Sequence, residues 1–130
     1  MRLLLIDDLE PLRRSLRRIC EARGFEVVGE VGDGREGVRL ASILHPDCII
    51  IDLRMPIMDG IEATRLIKQA SPGVVVVVLS AYDDASLRRE ASSAGADEWF
   101  LKGEPAGLLC DRVTELINIR RNDKGVGLPR

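Results

Sequence analysis

The chain is predicted to be a three-layer α/β sandwich built from five consecutive βα units. Its single parallel five-stranded sheet is predicted in the order 2-1-3-4-5. Three observations predict this. Short apolar runs alternate five times with segments of helical periodicity. The connections are short, so parallel strands joined by right-handed helical crossovers are the economical solution. Finally, the first, third and fourth runs are nearly all apolar and belong in the middle of the sheet, covered on both faces. The second carries Glu26, Gly29 and Glu30 and the fifth Asp97 and Glu98, as edge strands do.

The elements follow in order. Leu3 to Ile6 reads as strand. Glu10 to Arg23 reads as helix, with Leu12, Leu16, Ile19 and Cys20 at helical spacing and Gly24 just past its end. Phe25 to Val31 is a strand with polar residues mixed in. Asp33 can cap a helix from Gly34 to Leu44, with Val38, Ala41 and Leu44 inward. Cys48 to Ile51 is strand, and Asp59 caps a helix to Ala70 with Ile61, Leu66 and Ile67 inward. Val74 to Leu79 is strand, and Asp83 or Asp84 caps a helix to Ala94. Asp97 to Leu101 is strand. Glu104 to Ile119 is the last helix, with Leu108, Leu109, Val113, Leu116 and Ile117 inward. The strand order is the flavodoxin-like one. Residues 1–119 form one domain, and 120–130 read as a polar tail or the start of a linker.

Composition narrows the function. A chain of 130 residues, 45% hydrophobic and 31% charged, is an ordinary globular domain with enough length to bury a core. A net charge of -2 draws neither nucleic acid nor an anionic membrane, and 3% aromatics offer no stacking platform. The longest apolar run is too short to span a bilayer, and Asp7 interrupts the opening run before it can serve as a secretion signal. A cytoplasmic location is expected. Cys20, Cys48 and Cys110 are widely spaced and read as buried free thiols. His45, the single histidine, has no ligand-bearing neighbour in sequence.

The chemistry lies at the strand ends. Asp7 and Asp8 follow the first strand, Asp52 the third, Ser80 the fourth and Lys102 the fifth. In an open parallel sheet these tips share one edge, where α/β folds place their sites. Crowded carboxylates repel unless a cation lies between them, and hard divalent cations prefer oxygen ligands. One of the first two aspartates can instead simply cap the first helix. A carboxylate beside a cation can attack phosphorus to give an acyl phosphate. Ser80 offers a hydroxyl, and Lys102 a point charge, to phosphoryl oxygens.

Together these residues, with Met55-Pro56, Asp59-Gly60 and Ala81, give residues 1–119 a pattern that resembles the receiver domain of bacterial two-component response regulators. The stretch from Asp52 to Ala63 looks most like regulators whose output is a LuxR-type helix-turn-helix. The resemblance implies that Asp52 is the phospho-acceptor and that Ser80 and Lys102 hold the phosphoryl group. It implies magnesium (or manganese) bound by Asp8 and Asp52, by Asp7 through water and by the Arg54 main-chain carbonyl. Ser80 and Trp99 would be the switch residues, Trp99 standing where the family has its rotating aromatic. Gly103 follows Lys102 where the family commonly has proline, and a trans peptide is expected there.

The resemblance also implies a sensor histidine kinase as phosphodonor, docked partly through Leu9, Leu12, Arg13 and Leu16. It implies a switching surface made by the fourth helix, the fifth strand and the last helix, and leaves homodimerisation open. DNA would be reached only through an output domain outside this chain, and no membrane is involved. Two other functions compete. A phosphatase of the haloacid-dehalogenase kind needs an acid/base aspartate two residues after its nucleophile, where this chain has Arg54 after Asp52 and Leu9 after Asp7. A receiver-like interaction domain that is never phosphorylated would not need the complete acidic set.

Overall fold

The computed structural model describes residues 1–127, with side-chain surroundings through residue 122. Five strands and five helices alternate: β1 (Arg2–Ile6), α1 (Glu10–Ala22), β2 (Glu26–Val31), α2 (Gly34–Leu44), β3 (Cys48–Asp52), α3 (Gly60–Ala70), β4 (Val75–Ser80), α4 (Ala85–Ala94), β5 (Glu98–Leu101) and α5 (Ala106–Gly127). The sheet is parallel throughout, in the order β2-β1-β3-β4-β5. This is the predicted flavodoxin-like arrangement.

Side chains alternate across each strand, so the central strands feed two separate apolar layers. Leu3, Leu5, Ile50 and Val77 meet Leu16 of α1 and Leu109, Val113 and Ile117 of α5 on one face. Leu4, Ile6, Ile49, Ile51, Val76 and Val78 meet Ala41, Ala63, Ile67 and Ala91 of α2, α3 and α4 on the other. Ile49, Ile51, Val76, Val77 and Val78 are fully enclosed. Each such side chain contributes about 1.5–3 kcal/mol relative to exposure.

Register sets the site. Asp52 is the last residue of β3 and pairs with Leu79, while Ser80 ends β4 opposite Leu101. The ladder runs one step further on each strand: Asp7 N–H donates to Val31 O (3.0 Å), Leu53 N–H to Leu79 O (3.0 Å) and Lys102 N–H to Ser80 O (2.8 Å). The candidate site residues therefore leave the sheet at nearly the same level.

Helix starts follow the predicted caps. Asp33, Asp59 and Asp84 accept hydrogen bonds from the N–H groups of Glu36, Glu62 and Leu87. α1 differs: Leu9 stands at its N-cap and no side chain caps it. Neither Asp7 nor Asp8 is consumed in starting that helix.

Three expectations are corrected. α5 does not stop at Ile119 but runs to Gly127, carried past its last apolar turn by two arginine anchors. Arg120 donates to Pro72 O (3.1 Å) and to Asp97 Oδ1 (2.8 Å), and Arg121 lies 3.7 Å from Asp47. Residues 128–130, the end of the expected tail, lie outside the described residues. Leu108, expected inward, is exposed, because Leu109 and Val113 already take the buried face of α5. Leu16, expected at a docking surface, is buried against the sheet, so the exposed apolar group on that side is Leu9.

Candidate functional site

The site is built outward from Asp52. This carboxylate is buried at the tip of β3, and α3 begins almost on top of it. Gly60 makes that approach possible. Its N–H donates to Leu53 O (2.8 Å), and a Cβ there would stand 2.2 Å from Asp52 O. No side chain fits at that separation, so the glycine lets the cap of α3 fold back against the backbone of Asp52 and Leu53.

Around Asp52 the structure gathers Asp7, Asp8 and Lys102. Lys102 Nζ lies 3.0 Å from Asp52 Oδ1 and 3.6 Å from Asp7 Oδ2. One oxygen from each of the three aspartates lies within 4.8 Å of the others, a group that can hold a metal ion. Asp7 is buried: its Oδ1 accepts from Leu9 N–H (2.9 Å), while its Oδ2 has no hydrogen-bond partner. Asp8 is exposed and closes the open side. Three carboxylates facing one ammonium leave excess negative charge, and an orphaned buried carboxylate oxygen aims into it. A hard divalent cation fits such a donor set.

The electrostatics agree. Burial pushes the Asp52 carboxyl up to about 6, with the charge of Asp7 adding to the rise and Lys102 opposing it. Asp7 is likewise raised, first by burial, against the hydrogen bond from Leu9 N–H and the charge of Lys102. Both shifts come first from burial, which the charge of Lys102 only partly offsets.

Lys102 gains its reach from a tight turn. Glu104 N–H donates to Leu101 O (3.0 Å), and the Glu104 side chain accepts from Leu101 N–H (3.2 Å). The Lys102–Gly103 peptide is trans, as expected.

Ser80 is buried and engaged locally. Its hydroxyl donates to Tyr82 O and accepts from Tyr82 N–H, each at 3.0 Å. A hydroxyl that both gives and takes in its own turn is held at the site's edge. Arg54 follows on the β3–α3 loop, with its guanidinium 5.4 Å from the centroid of the Tyr82 ring. Asp8, Asp52, Arg54, Ser80, Tyr82 and Lys102 line a cavity of about 230 Å³.

Tyr82 is a site residue that sequence reasoning did not single out. The signal was there: it is the only tyrosine and stands two residues after Ser80. Trp99 lies away from the cavity, on β5 in the α2–α3–α4 layer. It packs with Ala91 and Leu87 of α4, and its indole Nε1 is buried without a partner. Among the described residues no helix is long and apolar enough to cross a membrane.

Comparison with known proteins places this geometry. Residues 3–114 match the family model of the response regulator receiver domain. The transcriptional regulatory protein LiaR of Bacillus subtilis is 42% identical over 114 residues, 87% of this chain and 54% of LiaR. The chemotaxis protein CheY of Thermotoga maritima is 36% identical over 118 residues, 90% of this chain and 94% of CheY. A LuxR-family two-component response regulator from Aurantimonas sp. SI85-9A1 superposes with a TM-score of 0.85 at 30% identity, covering 90% of this chain and 84% of that one. The chain thus spans about half the length of LiaR and nearly all of CheY.

Proposed function

The chain belongs to the response regulator receiver domain family, and from that premise we propose that it takes a phosphoryl group onto Asp52 from a sensor histidine kinase. The observation that carries this is the contact of Lys102 Nζ with Asp52 Oδ1 at 3.0 Å, inside a cluster of three carboxylates. That is a nucleophile with its counter-charge in place and a cation site beside it.

The Asp52 carboxylate attacks phosphorus while the P–N bond of the donor phosphohistidine breaks. The histidine leaves with the electron pair, and an acyl phosphate remains on Asp52. Lys102 moves its charge from the free carboxylate to a phosphoryl oxygen, and Ser80 exchanges its bonds to Tyr82 for one to another. Asp7, Asp8, Asp52 and the Arg54 carbonyl are the groups that would hold magnesium or manganese. The chemistry such an ion supplies is neutralisation of the charge gathered on the phosphoryl oxygens. The chain acts as a signalling module and catalyses only its own phosphorylation and dephosphorylation.

Ser80 is joined to α4 through the loop 81–84, so its movement is passed to the face made by α4, β5 with Trp99, and α5. Likeness to LiaR and to a LuxR-family regulator supports a transcriptional output through a further domain. The same reading leaves homodimerisation open, through the switching face or through α1 and α5. Residues 1–119 are the receiver unit, and those after them, which continue α5 to Gly127, are its tail or the start of a linker. The whole acts in the cytoplasm. Treatment with a small acyl phosphate and magnesium, followed by peptide mass spectrometry, is the test. Asp52 should carry the phosphoryl group and Asp52→Ala should carry none. Undiminished labelling of the variant would overturn the assignment.

A further inference from the structure

Two of the three cysteines, unremarkable in sequence, meet in the folded chain. Cys20 near the end of α1 and Cys110 early in α5 are 90 positions apart, yet their sulfurs lie 3.4 Å from each other. Both are 1% exposed, within the apolar layer that also holds Leu16, Phe25 and Val113. Cys48 stands apart, its Sγ directed at Arg2 O (3.9 Å). An ion pair joins the same two segments: Arg23, just past α1, binds Asp111 on α5. Gly107 leaves room for it, since a Cβ there would come 2.6 Å from Arg23 Nη2. A guanidinium thus lies beside the first turn of α5, next to Cys110.

We infer that Cys20 and Cys110 are a redox modification site, at which a peroxide joins the pair in an intramolecular disulfide fastening α1 to α5. The sulfurs need approach by only roughly 1.4 Å to reach bonding distance, which side-chain rotation and a small helix shift can supply. The two sulfurs are in hydrogen-bond contact, and either can be the donor. Whichever thiol gives up its proton becomes the attacking thiolate; let that be Cys110. It displaces hydroxide from the peroxide, breaking the O–O bond and becoming a sulfenic acid. The Cys20 sulfur then attacks that sulfur, and the sulfenic oxygen departs as water with the Cys20 proton. In sum, two thiols and one hydrogen peroxide give one disulfide and two waters. The peroxide is reduced by two electrons and the sulfur pair oxidised by two.

The bond bears on the receiver without touching its chemistry. No residue around Asp52 takes part, but α5 belongs to the proposed switching face, and the crosslink ties it to α1. In a reducing compartment such a disulfide is transient, which is the behaviour of a sensor rather than of a staple.

The full chain, treated with hydrogen peroxide and digested without reductant, provides the test. The expected product is a peptide pair joining Cys20 to Cys110, with Cys48 still a thiol. The melting midpoint of the oxidised chain should rise by roughly 10 °C, because the crosslink closes a long loop in the unfolded state. Dithiothreitol should reverse the rise. Cys48→Ala should keep the crosslink and Cys110→Ala lose it. If Cys110→Ala folds poorly, the peptide map of the unaltered chain decides alone. Persistence of both thiols, sulfinic acid on either one, or crosslinks only between chains would overturn the inference.

Discussion

Lys102 Nζ reaches across β4 to stand 3.0 Å from Asp52 Oδ1, an ion pair between strands that are not neighbours. It also faces Asp7 Oδ2 at 3.6 Å. One ammonium thereby serves two buried carboxylates.

Replacing it by an uncharged residue should impair phosphorylation more than folding. Lys102→Ala removes the positive group proposed to hold the phosphoryl oxygens, and loss of one such preorganised partner costs roughly 10²-fold in rate. Acyl-phosphate labelling kinetics at fixed magnesium is the measurement. A rate within a factor of two of the unaltered chain would show that the ion pair is merely structural.

The metal-free protein should lose stability as pH rises through the Asp52 titration. Asp52 is raised in the fold, from 3.8 to about 6, chiefly by burial. Between those values the native state binds more protons than the unfolded one, so unfolding becomes easier with rising pH. Below the lower value both states are protonated and the penalty is absent. Above about 6 it is complete, on the order of 3 kcal/mol at most. In urea titrations with a chelator present, Asp52→Asn should therefore gain on the unaltered chain from pH 4 to pH 8. Magnesium should shrink that gain at pH 8. A difference between the two chains that does not vary with pH would contradict the assignment of the penalty to Asp52.

Gly60→Ala should disturb the site from beneath. The added methyl would stand 2.2 Å from Asp52 O and 3.0 Å from Leu53 Cα, backbone atoms that cannot rotate away. Overpacking of this kind costs about 1–3 kcal/mol. The expected pattern is a lower urea midpoint together with weaker magnesium binding, since the Asp52 backbone must move. An unchanged midpoint would mean that α3 can retreat without consequence.

The loop and helix after Ser80 should respond to phosphorylation first. α4 buries only Ala91 and Ala94 fully, with Leu87 half-buried, so it is the lightly held helix of its layer. Moving elements are drawn from such segments. Hydrogen exchange with and without a beryllofluoride mimic of the phosphoryl group should change across residues 81–94. Identical exchange there, with change elsewhere, would redirect the route from Asp52.

The sequence by itself determined the layers, the strand order and the sheet edge on which the candidate site residues sit. Periodicity, polar edge strands and aspartates such as Asp33, Asp59 and Asp84 act within a turn or two of chain, and parallel strands necessarily gather their C-terminal tips. That Asp7, Asp8, Asp52, Ser80 and Lys102 gather on one edge was legible for that reason. What joins distant segments was not. The Asp97 carboxylate accepts from Val76 N–H, binds Lys68 at 2.8 Å and Arg120 at 2.8 Å, and so carries α5 beyond its apolar end. Arg54 comes to face the Tyr82 ring, and Cys20 comes to meet Cys110, because separate helices and loops pack on one sheet. Such pairings depend on crossing geometry and side-chain reach, which local pattern does not encode. Only the tertiary structure decided them.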